Sequence, residues 1–295
     1  MRILLLIMTN IAIMVLLFVV ASIFGVGNYL DETGTGLDLQ ALLFFCFILG
    51  MGGAAISLLI SKWIAKMSTR AKVIDQPKNQ NEQWLVDTVR ELAEEAGIGM
   101  PEVAIFPAEQ ANAFATGWNR NNALVAVSAG MLQRFPREEV KAVMAHEIGH
   151  VANGDMITMS LIQGVLNTFV LFIARIIAFA VDRVVFKNDS GYGIGYIVVT
   201  IVMQIVLGIL ASMIVMWFSR RREFRADAWG ATLGSQAGMI NALQRLKAES
   251  GMPDQMPENL NAFGINSGKR SGIQAMFMSH PPIDQRIKAL KESSS

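Results

Sequence analysis

Cysteine is nearly missing from this 295-residue chain, with Cys46 as its single copy. No intrachain disulfide can form, and nothing points to an oxidising compartment for the polar parts. Cys46 sits inside an apolar run and reads as a small lipid-facing or helix-packing residue. Histidine is almost as scarce, at three copies, which confines imidazole chemistry to His146, His150 and His280. Charge is thin as well: Asp, Glu, Lys and Arg make up 17% of the residues, against roughly 25% in an ordinary globular chain. The formal net charge is +1. Balanced charge leaves no clustered basic surface for a phosphate backbone, so nucleic acid is excluded as a partner.

The missing charge is missing in blocks. No Asp, Glu, Lys or Arg occurs from Ile3 to Leu30, Leu39 to Ser61, Met156 to Ala174 or Ser190 to Ser219. Each run reaches the roughly 18 to 20 residues that cross a bilayer core as a helix. Strict period-two alternation is absent, which argues against a membrane barrel. The first run is too long for the core of a cleaved signal peptide, which spans roughly 7 to 15 residues, and no clear small-x-small site follows it. It is expected to be a retained helix. The loop between the first two runs carries Asp31, Glu32 and Asp38, whereas Lys62, Lys66, Arg70 and Lys72 follow the second, and Arg220, Arg221, Arg222 and Arg225 follow the fourth. Positive flanks stay inside, so both long polar segments are expected on the cytoplasmic side.

This gives four segments: an N-terminal transmembrane hairpin over 1–61, a polar piece over 62–155, a second hairpin over 156–219 and a polar piece over 220–295. Neither polar piece looks finished alone, and together they form one domain of about 170 residues, enough to bury a core. Asn81 to Ala96 has apolar residues at helical spacing and stops at Gly97. Val103 to Phe106 and Ala123 to Val127 read as short strands, with Asn112 to Gly117 between them as strand or loop. A small sheet is expected.

The chemistry is concentrated after that sheet. Pro136, Glu138 and Glu139 suit a helix start, and Asn153-Gly154 marks its end. His146 and His150 are four apart, so on a helix both imidazoles project from one face and can grip one metal. Glu147 stands to the side of that pair, where a carboxylate reaches a metal-bound water without being a ligand. This HExxH pattern calls for a third protein ligand and an open position for water. Glu223 is the better candidate, at the start of a polar helix after the fourth run. Asp227, one turn further, is placed to accept from a ligating imidazole, as is Asp155 from the end of the motif helix.

In this order, His146-Glu-Ile-Gly-His150, Asn153-Gly-Asp155, an apolar hairpin, Glu223-Phe-Arg-Ala-Asp227 and Ser279-His-Pro-Pro-Ile-Asp-Gln-Arg286, the chain resembles the HtpX membrane zinc metalloproteases, relatives of the type I CAAX prenyl endoprotease. The resemblance covers nearly the whole chain. It implies a mainly α membrane protein, with four transmembrane helices and a gluzincin-like α+β cytoplasmic metallopeptidase domain holding one Zn2+. It further implies anchorage in the bacterial inner membrane and degradation of damaged or misfolded membrane proteins, and leaves room for a partner protease in membrane quality control. By similarity to the family pattern, His280 and Arg286 are candidates to stabilise the tetrahedral intermediate, and Asn112 resembles a segment lining the substrate cleft. An extended peptide pairing there with an edge strand would account for weak sequence selectivity.

The expected mechanism has zinc held by His146, His150 and Glu223, with Glu147 taking the proton of the attacking water and passing it to the leaving amine. His150 lies six residues before Met156 and Glu223 four after Ser219, so the site is expected near the bilayer surface, where tethered substrates gain effective concentration. Arg175 in the third run is expensive in hydrocarbon. It is expected to snorkel toward the distal interface near Asp182, and the alternative is a hairpin that does not fully span. Two other classes stay open. An intramembrane site-two-type protease would carry HExxH inside an apolar span, but Arg137, Glu138, Glu139 and Lys141 precede it here. A non-enzymatic zinc-binding scaffold would want a closed sphere with Cys or a further His.

Overall fold

The computed structural model describes residues 39–188, 193–249 and 280–293, which fall into two compact units. One unit comprises residues 58–159, 216–249 and 280–293. It holds helices α2 (Ser61–Thr69), α3 (Gln80–Glu95), α4 (Ala129–Arg134) and α5 (Arg137–Asn153), the end of α7 (Ile194–Trp229), α8 (Gln236–Glu249) and α9 (Ile283–Glu292). Its four strands are β1 (Lys72–Val73), β2 (Glu102–Phe106), β3 (Ala113–Asn119) and β4 (Asn122–Ser128), in the order β1-β2-β4-β3. Only the β2–β4 pairing is parallel, and β3 and β4 form an antiparallel hairpin with an irregularity between Gly117 and Asn119.

Strand alternation divides the sheet's side chains between two cores. Val103, Ala113, Ala115, Val125 and Val127 face the larger one, shared with Leu85, Val89 and Leu92 of α3 and with the apolar side of α5. Ala104, Phe106, Phe114, Leu124 and Ala126 face the other side, where Ala65 of α2 covers them. Helix α3 starts where the Asn79 side chain accepts from the Asn81 and Glu82 N–H groups, an N-cap that supplies two otherwise orphaned donors with an acceptor. Helix α5 follows Pro136 and carries Glu138 and Glu139 in its first turn, where carboxylates favour the positive end of the helix. Arg245 of α8 clamps Glu139 through two hydrogen bonds of 2.7 and 3.1 Å. Gly154 ends α5 in the left-handed conformation at φ 69°, its N–H reaching back to the His150 and Val151 carbonyls.

The other unit, described over 39–57, 160–188 and 193–215, takes in most of α1 (Leu39–Leu59), the length of α6 (Asp155–Val184) beyond its first turn and the apolar part of α7. Among the described residues three helical stretches are long and apolar enough to cross a membrane: Gln40–Leu59, Asp155–Val184 and the run beginning at Ile194. The expected span over Ile3–Leu30 lies outside the described residues. Cys46 is a helix-packing residue, fully buried with Leu42, Leu49 and Leu171. At Gly50 a Cβ would come within 2.4 Å of Thr168 Oγ1 and 2.6 Å of its backbone nitrogen, the close approach that small residues permit between membrane helices. Asp182 is buried, accepting from Asn188 Nδ2, Gly193 N–H and Tyr196 N–H at 2.9 to 3.1 Å. Arg175 does not extend toward it. Its Nη1 turns back one turn to donate to the Leu171 carbonyl at 3.0 Å, with the guanidinium 5.8 Å from the Phe45 ring centre. A carbonyl acceptor and an aromatic face solvate the charge locally, which makes snorkelling unnecessary.

The helix and strands expected at 81–96, 103–106 and 123–127 are all present within a residue or two at their ends. The 112–117 stretch is strand from Ala113 onward, with Asn112 just ahead of it. Three short elements had no legible period: β1, α4 and a single π-helical turn over Gly230–Ser235.

Candidate metal centre

The site is assembled on α5, where almost every residue from Val140 to Val151 is buried. His146 and His150 come one turn apart, with ring centres separated by 4.8 Å. Glu223 enters from α7. One donor atom from each of these three residues lies within 4.8 Å of the others. His146 Nε2 is 3.7 Å from Glu223 Oε2, and His150 Nε2 is 3.3 Å from Glu223 Oε1. Ligands held about 2.0 to 2.2 Å from a tetrahedral ion sit about 3.3 to 3.6 Å apart, so small adjustments fit one. His146 Nε2 and Glu223 Oε1 are buried with no hydrogen-bond partner. Buried polar atoms are normally satisfied, and a shared cation satisfies both at once. The donor set, two imidazoles and a carboxylate, suits zinc and other first-row ions.

The surrounding groups set the orientation of the donors. Gly154 reverses the chain so that Asp155, the first residue of α6, returns to His150, whose Nδ1 lies 2.7 Å from Oδ2. Asp227 lies one turn after Glu223, and its Oδ1 is 3.0 Å from His146 Nδ1 at an angle short of an aligned hydrogen bond. Arg286 of α9 is fully buried and grips Asp227 with two bonds of 2.6 and 2.8 Å. His280 Nδ1 pairs with Glu223 Oε2 in a short contact. His280 Nε2 and Arg286 Nη1 are buried without hydrogen-bond partners.

Glu147 is buried with neither carboxylate oxygen hydrogen-bonded. Burial pushes its carboxyl up to about 7, with the Glu223 charge adding to the rise and His150, Arg222 and Arg286 opposing it. His150 moves the other way from what burial alone would do: burial disfavours its charge, but the hydrogen bond to Asp155 and the nearby Glu223 carboxylate outweigh that and raise it to about 9. For Glu223 burial is likewise outweighed, by His280 and His150, and its carboxyl stays well below the ordinary range. His146 is pushed down to about 4, chiefly by burial, which leaves its imidazole neutral at pH 7, the form that ligates a metal.

The structure brings together His146, Glu147, His150, Asp155, Glu223, Asp227, His280 and Arg286, all anticipated from the sequence. Asn112 stands apart from the triad. It is buried, its Oδ1 accepts from the Ala113 N–H at 2.9 Å, and its backbone pairs with Ser128 at the head of β3. Two features escaped sequence reasoning. Arg222 belongs to the site, buried with Nε 3.9 Å from Glu223 Oε1, though it is hidden in an arginine run that reads as a membrane flank. The π-helical turn brings Gly230 and Gly234 against α5, where a Cβ on Gly234 would lie 2.6 Å from Ala142 Cα. The glycines at 230 and 234 were the available signal. Such turns recur at functional sites.

Comparison with known proteins places this geometry. Residues 79–294 match the model of peptidase family M48. The chain is 63% identical over 289 residues to protease HtpX of Hahella chejuensis, covering 98% of each, and 59% identical over 291 residues to protease HtpX of Pseudomonas putida strain W619, covering 99% of each. The crystal structure of S. mikatae Ste24p superposes with a TM-score of 0.62 at 19% identity, over 93% of this chain. The chain spans 64% of that protein's length, and at this identity the likeness is one of fold.

Proposed function

The chain belongs to peptidase family M48 as a membrane metalloprotease, and we propose that it is a zinc endopeptidase cutting damaged or misfolded membrane proteins at the cytoplasmic face of the bacterial inner membrane. The observation that carries the catalytic reading is the convergence of His146, His150 and Glu223 within 4.8 Å beside the buried, unpaired carboxylate of Glu147. When bound by those three residues, zinc supplies Lewis acidity that lowers the pKa of water and polarises a carbonyl.

The protein's own groups do the rest. Glu147, poised near neutrality, takes a proton from the attacking water and returns it to the leaving amine. Asp155 and Asp227 fix the imidazoles with their Nε2 atoms toward Glu223. Arg286 holds Asp227 in place, and His280 holds Glu223 through Oε2, leaving Oε1 unpaired. His280 Nε2 and Arg286 Nη1, both buried without hydrogen-bond partners, are the donors we assign to the negative charge that develops on the scissile carbonyl oxygen. Substrate backbone is assigned to the outer edge of β3, which Asn112 heads and which no described strand pairs.

The placement of α5 speaks against an intramembrane site, since it is not among the apolar stretches able to span and packs against α3 and the sheet. The test is cleavage of casein by the detergent-purified, zinc-loaded chain against a Glu147→Ala version with the same zinc content. Loss of cutting by about 100-fold or more is expected on removing a general base. Equal activity in both would show that the peptidase assignment of Glu147 is wrong.

A further inference from the structure

Helix α2 begins at Ser61, two residues after the apolar helix α1 ends at Leu59. One side of α2 is accounted for. Ala65 is fully buried against Ala104, Phe106, Phe114, Leu124 and Ala126 on the second face of the sheet. Lys62 donates to Asn122 Oδ1 at 2.6 Å and pairs with Glu102 at 2.6 Å, while Lys66 bonds the other Glu102 oxygen at 3.0 Å. The helix is therefore bolted to β2 and β4 through its buried and basic sides.

The opposite side is apolar and uncovered. Leu59, Trp63 and Met67, spaced by four, are each 60% exposed. A Trp and a Met so displayed on a nine-residue helix cost hydrophobic free energy in water. The stripe continues directly from a membrane-spanning helix. Arg70 and Lys72 follow the stripe at the end of the helix, the charge that anionic headgroups attract. Tryptophan is the residue that favours the interface between water and hydrocarbon. We propose that α2 is an interfacial helix whose Leu59–Trp63–Met67 stripe lies in the headgroup–acyl boundary of the bilayer. Through Lys62, Lys66 and Ala65 it fixes the sheet that carries β3 at the membrane surface. The occupant of the uncovered face is lipid, and the helix is a second membrane contact besides the spans.

The single native cysteine makes the test direct. In full-length chain carrying Cys46→Ala, Met67→Cys is labelled with an environment-sensitive fluorophore, reconstituted into vesicles of zwitterionic and anionic phospholipid, and exposed to lipids bearing a quencher high on the acyl chain. Glu95→Cys, on the exposed end of α3, is the reference. Quenching at position 67 several-fold above that at 95 is expected. Quenching equal to that at 95, with free access to a water-soluble quencher, overturns the proposal, and so does protection from both quenchers, which would mean that protein covers the stripe. Trp63→Phe, made with Cys46 intact, checks the outcome independently: it should remove a measurable part of the tryptophan fluorescence that brominated lipids quench. No change there also overturns the proposal.

Discussion

Each residue around the candidate metal centre holds another, so removing one exposes a specific debt in its neighbour. Asp155 accepts from His150 at 2.7 Å and Asp227 faces His146 at 3.0 Å. Carboxylates so placed fix the tautomer and raise ligand basicity, typically to the extent of about 10- to 100-fold in metal affinity. Asp155→Asn and Asp227→Asn are therefore expected to weaken zinc binding by about 10- to 100-fold each. Competition with a chelating dye reads this directly, and unaltered affinity in both would remove them from the site's machinery. Arg286 answers a different question because it is fully buried and its partner Asp227 is almost so. Arg286→Met strands a carboxylate in the interior, a change that costs about 3 to 5 kcal/mol when one partner of a buried pair is lost. Thermal unfolding of the detergent-solubilised chain should show a markedly lower midpoint, and adding Asp227→Asn should recover part of it, since the stranded charge is then gone.

At the scale of elements, what matters is how closely α5 can approach its neighbours. A Cβ at Gly149 would meet Trp229 Cβ at 2.6 Å and Cγ at 2.8 Å. Gly149 lies between the two histidines on α5, and Trp229 ends the helix that carries Glu223. Gly149→Ala is expected to push these helices apart and to lower metal affinity and activity together. Gly154 is a contrasting case: its φ of 69° needs glycine or asparagine, but nothing stands within 4 Å of a Cβ there. Gly154→Asn should keep zinc affinity, while Gly149→Ala loses it, and the reverse order would refute the close-approach argument. The α2 clasp gives a pH dependence. Burial pulls the Glu102 carboxyl up, but hydrogen bonds from Lys62 and Lys66 outweigh it and leave it below its ordinary value. A folded-state value below the unfolded one adds stability above the unfolded pKa of about 4.3, and the contribution fades as pH falls through the folded value. The pair is partly exposed, so the contribution is under about 1 kcal/mol. Glu102→Gln should lower the unfolding midpoint at pH 7, and the difference should shrink as the pH falls below about 4.

Across the whole molecule, what the sequence disclosed follows from how each feature is encoded. Long apolar runs and the helical spacing of α3 and α5 are local and repeated, so the second, third and fourth expected spans and the main helices were legible. The His146–His150 pair is legible for the same reason, because one helical turn is a sequence-local distance. Glu223 and Asp227 reach the site through tertiary packing but were readable because an HExxH pair calls for a third ligand and one helical turn joins the two, whereas the roles of His280 and Arg286 became readable only once the pattern had been set beside a known family. Arg222 was invisible, since nothing local separates a buried arginine from its exposed neighbours Arg221 and Arg225. The same assembly predicts how the metal acts on stability. His146 Nε2, Glu223 Oε1 and both Glu147 oxygens are buried without hydrogen-bond partners, and three of the residues that carry the site come from elements far apart in sequence: α5, α7 and α9. A cation binding the folded chain alone ties these elements together and stabilises it by about 2.7 kcal/mol at a free concentration 100 times its Kd. Zinc added to chelator-stripped chain is therefore expected to raise the thermal midpoint. The rise should persist in Glu147→Gln, which is not a ligand, and vanish in Glu223→Gln. A rise retained in Glu223→Gln would move the ion away from the triad, and one lost in Glu147→Gln would make that carboxylate a ligand instead of the base.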